Sequence, residues 1–326
     1  MRQQRTRTPK KTRKKSRKDV GRTQTHTQMD LKLNQNTYSA LEKLRKTKGV
    51  SSTEYVLGDK KAIVLDVGIS AQTTGKAAEK LGLSIADASM GLLGKTTIKE
   101  GTLKVEISKH PVIATLGCQF AGWSVEIAGK KRLGSGPARI LARKPGKIID
   151  AAGYVESSDK AALILETSTL PGEEDCKRIL EETKAKDLII AAFREDSSIG
   201  LINVLARIVE VGLFRLHNIG YDTRKVVWSE GTVPIPPLGK DIMYTSNDAI
   251  IYRGTVSIEA DGWDAALTDK AVSKSSQAYG KNFKEIFKEA GGDFYKIDPG
   301  IFAPAQVKVK DLQNGKSYSA GSVYVF

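Results

Sequence analysis

The sequence predicts an α/β fold with two α/β lobes and a ligand cleft between them. The first observation is a pair of short, almost wholly apolar runs, residues 161–166 and 188–193, each followed by a helical pattern. Strands that alternate with helices in this way form βαβ units, whose parallel strands are buried on both faces. The second observation is size, since 326 residues with 40% hydrophobic content suffice for one large or two ordinary domains.

The first half of the chain is predicted to begin with two helices. Residues 38–48 have helical periodicity and end at Gly49, which suits a C-cap, and residues 73–83 show the second helical pattern. Apolar or alternating runs predict strands over residues 62–67, 103–107, 111–116 and 123–127. A tight glycine turn at 134–136 then opens a further helix with Pro137 at its first position.

The second half is predicted to add three more helices and a hairpin. The helical patterns cover residues 173–184, about 198–216, and 280–290. The pair Asn314 and Gly315 lies between the strand-like segments 307–309 and 318–320, which indicates a β-hairpin. We place a domain boundary near residue 150. It separates an N-terminal α/β domain, residues 29–150, from a C-terminal one, residues 151–326.

Residues 1–28 form a basic extension. They hold eleven Lys or Arg and one acid, which is +10 of the formal charge of +15. Apart from Met1 and Val20 the segment has no large apolar side chain, so it cannot bury surface and we expect it to be disordered. It also lacks the apolar region of a signal peptide.

Two interpretations of this extension stay open. A basic arm of this kind can bind nucleic acid, which would make the protein a nucleic-acid-associated one. No aromatic side chain is interleaved for base stacking, however, so we do not expect a nucleic-acid partner. Alternatively the extension is simply solvated, or translation starts at Met29, immediately before the first helical pattern.

The scarcity of histidine and cysteine restricts the chemistry. The three histidines and two cysteines lie far apart and form no zinc-binding pair, so we expect neither a metal nor another cofactor. Two cysteines make no disulfide framework, which favours a reducing, cytoplasmic setting. No apolar run approaches the roughly 20 residues that span a bilayer. The P-loop-like stretch 91–96 has Ser89 where a glycine is required, which argues against a nucleotide triphosphatase.

The predicted helix over residues 198–216 carries an unusual polar stripe. Its segment 199–214 has two charged residues, Arg207 and Glu210. With Asn203 they fall within about 60° on a helical wheel, while the remaining surface is apolar. An Arg–Glu pair of this spacing is often a solvated ion pair. On a nearly buried cylinder, paired charges also indicate a functional site, and both interpretations stay open.

Two other features are candidates for ligand binding. Gly134, Ser135 and Gly136 precede a helix, where free amides together with Arg139 suit an anion or a polar ligand edge, although an ordinary strand-to-helix turn looks the same. The polar segment 246–248 suits a pocket wall, as would any exposed connecting loop.

Five segments occur in a characteristic order along the chain. They are LGCQFAGW (116–123), GSGPAR (134–139), ARIVE (206–210), TSNDA (245–249) and DFYKIDP (293–299). Together they resemble the methenyltetrahydromethanopterin cyclohydrolase family, from about residue 30 to the C-terminus, and they look more like its bacterial, formaldehyde-oxidising branch. The sequence departs from the family at Phe120, where archaeal members often have a lysine.

The resemblance implies the reversible hydrolysis of N5,N10-methenyl-tetrahydromethanopterin to its N5-formyl form, without a metal. It implies a homo-oligomer, a trimer by family resemblance, with the pterin carrier bound in the cleft between two α/β domains. The family's catalytic pair corresponds to Arg207 and Glu210. The substrate-binding residues that we expect by analogy are Gln119, Trp123, Gly134, Ser135, Gly136, Arg139, Asn203, Asn247, Asp248 and Lys296.

The chemistry of such a substrate agrees with the composition. Its methenyl carbon shares a positive charge with two nitrogens, so no metal is needed to polarise it. We assign Glu210 as the base that takes a proton from water and then as the acid for the departing nitrogen. Arg207 would fix the Glu210 rotamer and stabilise developing oxygen charge. It would lower the Glu210 pKa, whereas burial would raise it. A folate-type carrier, which presents the same methenyl bridge, is an alternative substrate.

Overall fold

The computed structural model describes residues 29–71, 73–239, 241–293 and 296–324. The predicted disorder of residues 1–28 and their suggested role in nucleic-acid binding fall outside these ranges. The strands are β1 Ser51–Leu57, β2 Lys60–Asp66, β3 Lys95–Lys99, β4 Thr102–Ile107, β5 Trp123–Ile127, β6 Lys130–Ser135, β7 Lys160–Glu166, β8 Asp187–Phe193, β9 Val226–Pro234, β10 Thr255–Ala260, β11 Gln306–Asp311 and β12 Ser317–Gly321.

Helices alternate with these strands along the chain. The α-helices are α1 Leu33–Leu44, α2 Gly75–Ser89, α3 Ala138–Ala142, α4 Gly146–Ala152, α5 Glu173–Thr183, α6 Ser198–Leu205, α7 Ile208–Asn218, α8 Ile242–Arg253 and α9 Phe283–Glu289. A π-helix covers Ile113–Gln119, and short 3-10 turns cover Thr223–Lys225, Ala265–Lys270, Ser273–Ser275 and Pro299–Ile301. The mixture confirms the predicted α/β class.

Sheet 1 contains the two apolar strands on which the fold prediction rested. Its order is β1-β2-β8-β7-β6-β5, and the central strands β2, β8 and β7 run parallel. The outer strands β1, β6 and β5 are antiparallel to their neighbours. Parallel strands of one sheet end at the same edge, so the residues that follow β2, β7 and β8 come close together.

Both faces of sheet 1 are covered by helices. Ile63 and Leu65 of β2 pack in the cluster that includes α1 and α2, whereas Ala62 and Val64 pack in the cluster that includes α3 and α5. Alternate residues of a strand point to opposite faces, so a continuously apolar strand requires cover on both sides. The prediction of buried βαβ strands is therefore confirmed.

Sheet 2 has the order β12-β11-β10-β9-β4-β3, with β10 and β11 parallel and the other pairs antiparallel. The predicted hairpin around Asn314 and Gly315 is confirmed as β11–β12. The largest core cluster joins this sheet to α6, α7 and the π-helix through Ile208 and Val256, among other side chains.

Each sheet takes strands from both sides of residue 150. Sheet 1 combines residues 51–66 and 123–135 with 160–193, and sheet 2 combines residues 95–107 with 226–260 and 306–321. Residues Leu31–Phe326 form one compact unit. The expected boundary near residue 150 is thus not the division between the sheets, and as a domain boundary it stays a prediction.

The predicted strand over residues 111–116 is wrong. This segment enters the buried π-helix Ile113–Gln119, and the Thr115 hydroxyl donates to the Pro111 carbonyl 2.7 Å away, one helical turn earlier. A short run of apolar residues has no period that separates a buried strand from a buried helix, which is the reason for the error.

The predicted continuous helix over residues 198–216 is also wrong, because the chain breaks between α6 and α7. The Gln119 side chain donates to the Ala206 carbonyl at 3.1 Å, and this carbonyl is the one that Glu210 N–H would use in an unbroken helix. The backbone of Arg207 then has ψ 2°, which is far from the helical value, and Arg207 is the N-cap residue that precedes α7. Among the described residues, no helix is long and apolar enough to cross a membrane.

Candidate active site

The α6–α7 break lies against the edge of sheet 1 where the parallel strands end. Glu166 is the last residue of β7, and Gln119 ends the π-helix. The predicted polar stripe consists of Asn203, Arg207 and Glu210, which are 0%, 8% and 5% exposed. Asn203 and Arg207 form hydrogen bonds with these two residues. The stripe is therefore buried, as its apolar surroundings in the sequence predicted.

Arg207 is held at both ends of its guanidinium group. One nitrogen donates to the Gln119 carbonyl at 2.6 Å, and the other lies 3.1 Å from the Glu166 carboxylate. The same Glu166 oxygen accepts a hydrogen bond of 2.8 Å from the Asn203 amide. A buried ion pair costs desolvation, and these extra hydrogen bonds offset part of that cost.

Glu210 is a buried carboxyl group with two cations near it. Burial raises the pKa of Glu210 to about 7, although the charges of Arg207 and Arg139 act in the opposite direction. Desolvation thus outweighs the nearby positive charge, which the sequence could not decide. A carboxyl that titrates near neutral pH can both accept and return a proton in that range.

Arg207 was expected to contact Glu210 and fix its rotamer, but in the structure its guanidinium contacts other residues. Within the described ranges, Arg207 forms its ion pair with Glu166, and neither an ion pair nor a hydrogen bond joins it to Glu210. The physical reason is the break before α7, which directs the guanidinium towards the end of β7. Arg207 acts on Glu210 through its electric field.

Arg139 caps the π-helix. One of its terminal nitrogens donates to the carbonyls of Leu116, Gly117 and Cys118 at 3.0 to 3.2 Å, and Nε donates to the Lys144 carbonyl at 2.8 Å. The last carbonyls of a helix lack partners, and a guanidinium supplies them. Arg139 is fully buried, and this burial lowers its pKa to about 10.

The glycine turn before α3 also makes contacts within the protein. The Gly136 N–H donates to the Cys118 carbonyl at 2.8 Å, and the Ser135 hydroxyl lies 3.5 Å from the Ile164 carbonyl. Gly134 lies between the side chains of Val125 and Leu163, either of which an added Cβ would meet within 3.1 Å. These contacts tie the turn to the π-helix and to β7, so the structure gives it a scaffolding position beside the stripe.

Two aromatic residues lie near the site, of which Trp123 is buried and Phe120 is half-buried. Trp123, predicted to bind substrate, is 1% exposed within the core beneath sheet 1. The Phe120 ring packs against the Phe214 ring in a tilted arrangement, with the centroids 4.8 Å apart, and the Arg139 guanidinium lies 5.3 Å from the Phe120 centroid. Arg139, a third charged group, thus lies beside Phe120, the position at which this sequence differs from the archaeal members of the family.

The structure does not bring the other expected residues into this network. The Asn247 amide donates to the Met243 carbonyl within α8 at 2.7 Å, and Lys296 is exposed. Asp248 lines a cavity of about 530 Å³ whose lining includes neither Arg207 nor Glu210. The converging buried charges favour the stripe over this cavity as the chemical centre.

Glu166 is the functional candidate that the sequence analysis missed. The signal was present, since Glu166 is a charged residue at the carboxyl end of an apolar strand that was predicted to be parallel. Ligand sites of open α/β sheets lie at that edge. As for metals, no group of three or more His, Cys, Asp or Glu side chains that could hold an ion occurs in the part of the chain that the structure describes.

An α/β fold with buried, charged side chains at the carboxyl end of its parallel strands is typical of an enzyme. Comparison with known sequences then identifies the family. The profile of the cyclohydrolase family, Cyclohydrolase (MCH), matches residues 32–325, so the chain belongs to this family. The resemblance stated from the five segments is confirmed.

Several relatives are named methenyltetrahydromethanopterin cyclohydrolase. Those of Methanocella arvoryzae and Methanothermobacter marburgensis are 38% and 37% identical to this chain, over 80% of it and 86% of their own length. The relative from Methanocaldococcus jannaschii is 35% identical over 90% of this chain and 95% of its own.

Proposed function

We propose that this protein hydrolyses the methenyl bridge of a tetrahydromethanopterin-type carrier to the N5-formyl form, reversibly, with Glu210 as the proton-transfer group. The observation that carries the mechanism is the buried Glu210 carboxyl, whose pKa is raised by burial to about 7 beside Arg207 and Arg139. The family membership and the names of the relatives support the substrate class.

The substrate needs little activation. Its methenyl carbon is bonded to two nitrogens that share one positive charge, so water attacks it without a Lewis acid. We propose accordingly that no metal or other cofactor takes part. The tasks left to the protein are to orient the water, to remove its proton and to protonate the departing nitrogen.

Glu210 performs these proton transfers in turn. The carboxylate accepts a proton from water while the water oxygen bonds to the methenyl carbon, which gives a neutral tetrahedral intermediate with one new C–O bond. The protonated carboxyl then supplies the proton for N10 as the C–N10 bond breaks. This transfer to N10 regenerates the carboxylate, and the hydroxyl proton of the intermediate passes to solvent water as the formyl C=O forms, so the hydrolysis releases one proton overall.

Arg207 and Arg139 supply a fixed positive field. Both cations are held by protein acceptors before substrate binds, so they need not reorganise during the reaction. Preorganised charge of this kind stabilises negative charge that develops on the attacking oxygen. It also keeps the Glu210 pKa from rising further.

The test is the isosteric variant Glu210→Gln, assayed by the loss of the methenyl chromophore's absorbance. We expect turnover to fall by about 10²–10⁴-fold, because a general acid–base group contributes this much, while carrier affinity stays close to that of the unmodified protein. The matched control is Glu181→Gln, an exposed position on α5. Retention of most activity by Glu210→Gln rules out the assignment.

The remaining features of the proposal concern the substrate and the assembly. We place the carrier in a cleft between two lobes and the protein in the cytoplasm as a homo-oligomer, a trimer by family resemblance. Assay of the methenyl forms of a methanopterin-type and a folate-type carrier side by side distinguishes the two substrates. A higher kcat/KM on the folate carrier overturns the carrier assignment and leaves the Glu210 mechanism intact.

A further inference from the structure

Among the described residues, Glu166 is the one carboxylate that contacts the guanidinium group of Arg207. Their side chains are 16% and 10% exposed, so the pair is largely shielded from water. A single oxygen of Glu166 accepts from Arg207 at 3.1 Å and from Asn203 at 2.8 Å. The carboxylate is thus fixed by a neutral amide on α6 and in turn fixes the cation at the start of α7.

The second anchor of Arg207 is a backbone carbonyl. Gln119 accepts from Arg207 through its carbonyl at 2.6 Å and donates through its side chain to Ala206 at 3.1 Å. This anchor sets the position of the guanidinium but carries no charge. The negative charge that balances Arg207 therefore comes from Glu166.

The charges that act on Glu210, and those that act on the neighbouring Arg207–Glu166 pair, come from several elements. Arg207 at the start of α7 and Arg139 on α3 are the cations that act on it. Glu166 ends β7, and Glu195 follows β8, where its negative charge interacts with that of Glu166. The Cys118 thiol of the π-helix lies near Arg139, and burial raises its pKa so that it stays neutral. Removing the charge of Glu166 would therefore leave two cations beside one carboxyl.

We propose that Glu166 is a positioning residue of this reaction, which holds Arg207 against the end of β7 and balances its charge so that Glu210 remains basic enough to take a proton from water. This inference rests on the proposed role of Glu210. Without the charge of Glu166, the guanidinium is free to turn towards Glu210, and its full field favours the ionised, weakly basic form of that carboxyl.

The variant Glu166→Gln tests this role with little change of shape. An amide oxygen still accepts from Asn203, so the hydrogen bond persists while the charge is lost. We expect the rising limb of the pH–rate profile to move down by about one pH unit, because an added opposite charge shifts a carboxyl by this much. A weaker base also lowers kcat, by roughly tenfold. KM for the carrier should change less than kcat.

Two further variants separate positioning from simple structural damage. Glu166→Asp keeps the charge on a shorter side chain, so its pH midpoint should lie closer to the original than that of the Gln variant. Glu195→Gln removes a negative charge at the same edge of the sheet without a hydrogen bond to Arg207, and its midpoint should move far less. Carbon-13 NMR of the labelled Glu210 carboxyl gives the same shift without turnover.

The outcomes distinguish the two proposals. If Glu210→Gln is inactive and Glu166→Gln keeps both the original pH midpoint and kcat, the positioning role is overturned while the proposed function stands. If Glu166→Gln loses activity as completely as Glu210→Gln with no movement of the Glu210 titration, Glu166 takes part in the chemistry itself and the positioning role is again overturned. An active Glu210→Gln variant overturns the proposed function.

Discussion

Replacement of Glu210 by glutamine should stabilise the folded protein at alkaline pH. The carboxyl has an ordinary pKa of 4.5 and a pKa of about 7 in the fold, where burial opposes its charge. The folded state thus binds the proton more tightly than the unfolded state. The resulting stability is fully present below pH 4.5 and is lost as the pH rises through 7. Glutamine does not titrate, so the variant escapes this loss.

The magnitude follows from the two pKa values. Their difference, at about 1.4 kcal/mol per pKa unit, gives roughly 3 kcal/mol, most of which develops between pH 5 and pH 8.5. The assay is urea denaturation of both proteins across this range at one protein concentration, since assembly also affects stability. The control Glu181→Gln should show no such trend. A Glu210→Gln stability difference that is equal at pH 5 and pH 8.5 would refute the reasoning that Glu210 is buried with a raised pKa.

Three other predictions follow from the site and its scaffold. In the pH–rate profile of hydrolysis, kcat/KM should rise with a midpoint near pH 7, the pKa of Glu210, and a midpoint near 4.5 contradicts the burial argument. Arg139→Lys should lower the free energy of unfolding by about 3 kcal/mol, because one ammonium group cannot bind the three π-helix carbonyls and the Lys144 carbonyl together. An unchanged midpoint of urea denaturation would contradict the capping role of Arg139. A chain that begins at Met29 should keep its hydrolytic activity, since the family match starts at residue 32. Salt-dependent binding of RNA by the full chain that is lost on this deletion would support the nucleic-acid alternative instead.

The backbone conformation of Gly136, in the turn before α3, gives a further test of stability. Gly136 has φ 93°, and an added Cβ would lie 3.1 Å from the Ala162 carbonyl oxygen. We expect Gly136→Ala to lose about 1–3 kcal/mol by thermal or urea denaturation. Gly146→Ala, at a helical position with open space around it, is the matched control and should be close to neutral.

The elements predicted correctly from sequence are those with a local signal. The apolar runs that became β7 and β8, and the Asn314–Gly315 turn between β11 and β12, need no information from distant residues. Strand β9 was missed because Gly231 and Pro234 lie within it, and both residue types lower strand propensity. Strand β10 was missed because its six residues include only two large apolar side chains, Val256 and Ile258.

The errors at the site have a non-local cause. The break before α7 depends on Gln119, which lies 87 residues from the Ala206 carbonyl that it binds. The partner of Arg207 is likewise 41 residues away, at the end of β7. Periodicity along one helix identified the buried stripe. It could not show which distant groups would hydrogen-bond to the backbone of this segment or form an ion pair with Arg207.

The order of strands along the chain has a consequence for synthesis on the ribosome. Sheet 1 receives its last strand with β8, which ends at Phe193, so all its strands exist while residues 194–326, about two-fifths of the chain, are still untranslated. The β3–β4 hairpin has by then emerged, but its partner β9 begins only at Val226. During that interval β4 presents an open edge to the cell, and unpaired strand edges favour aggregation. The side chains of Lys104 and Glu106 on β4 are charged, and charged residues on an unpaired edge strand disfavour its pairing with strands of other molecules.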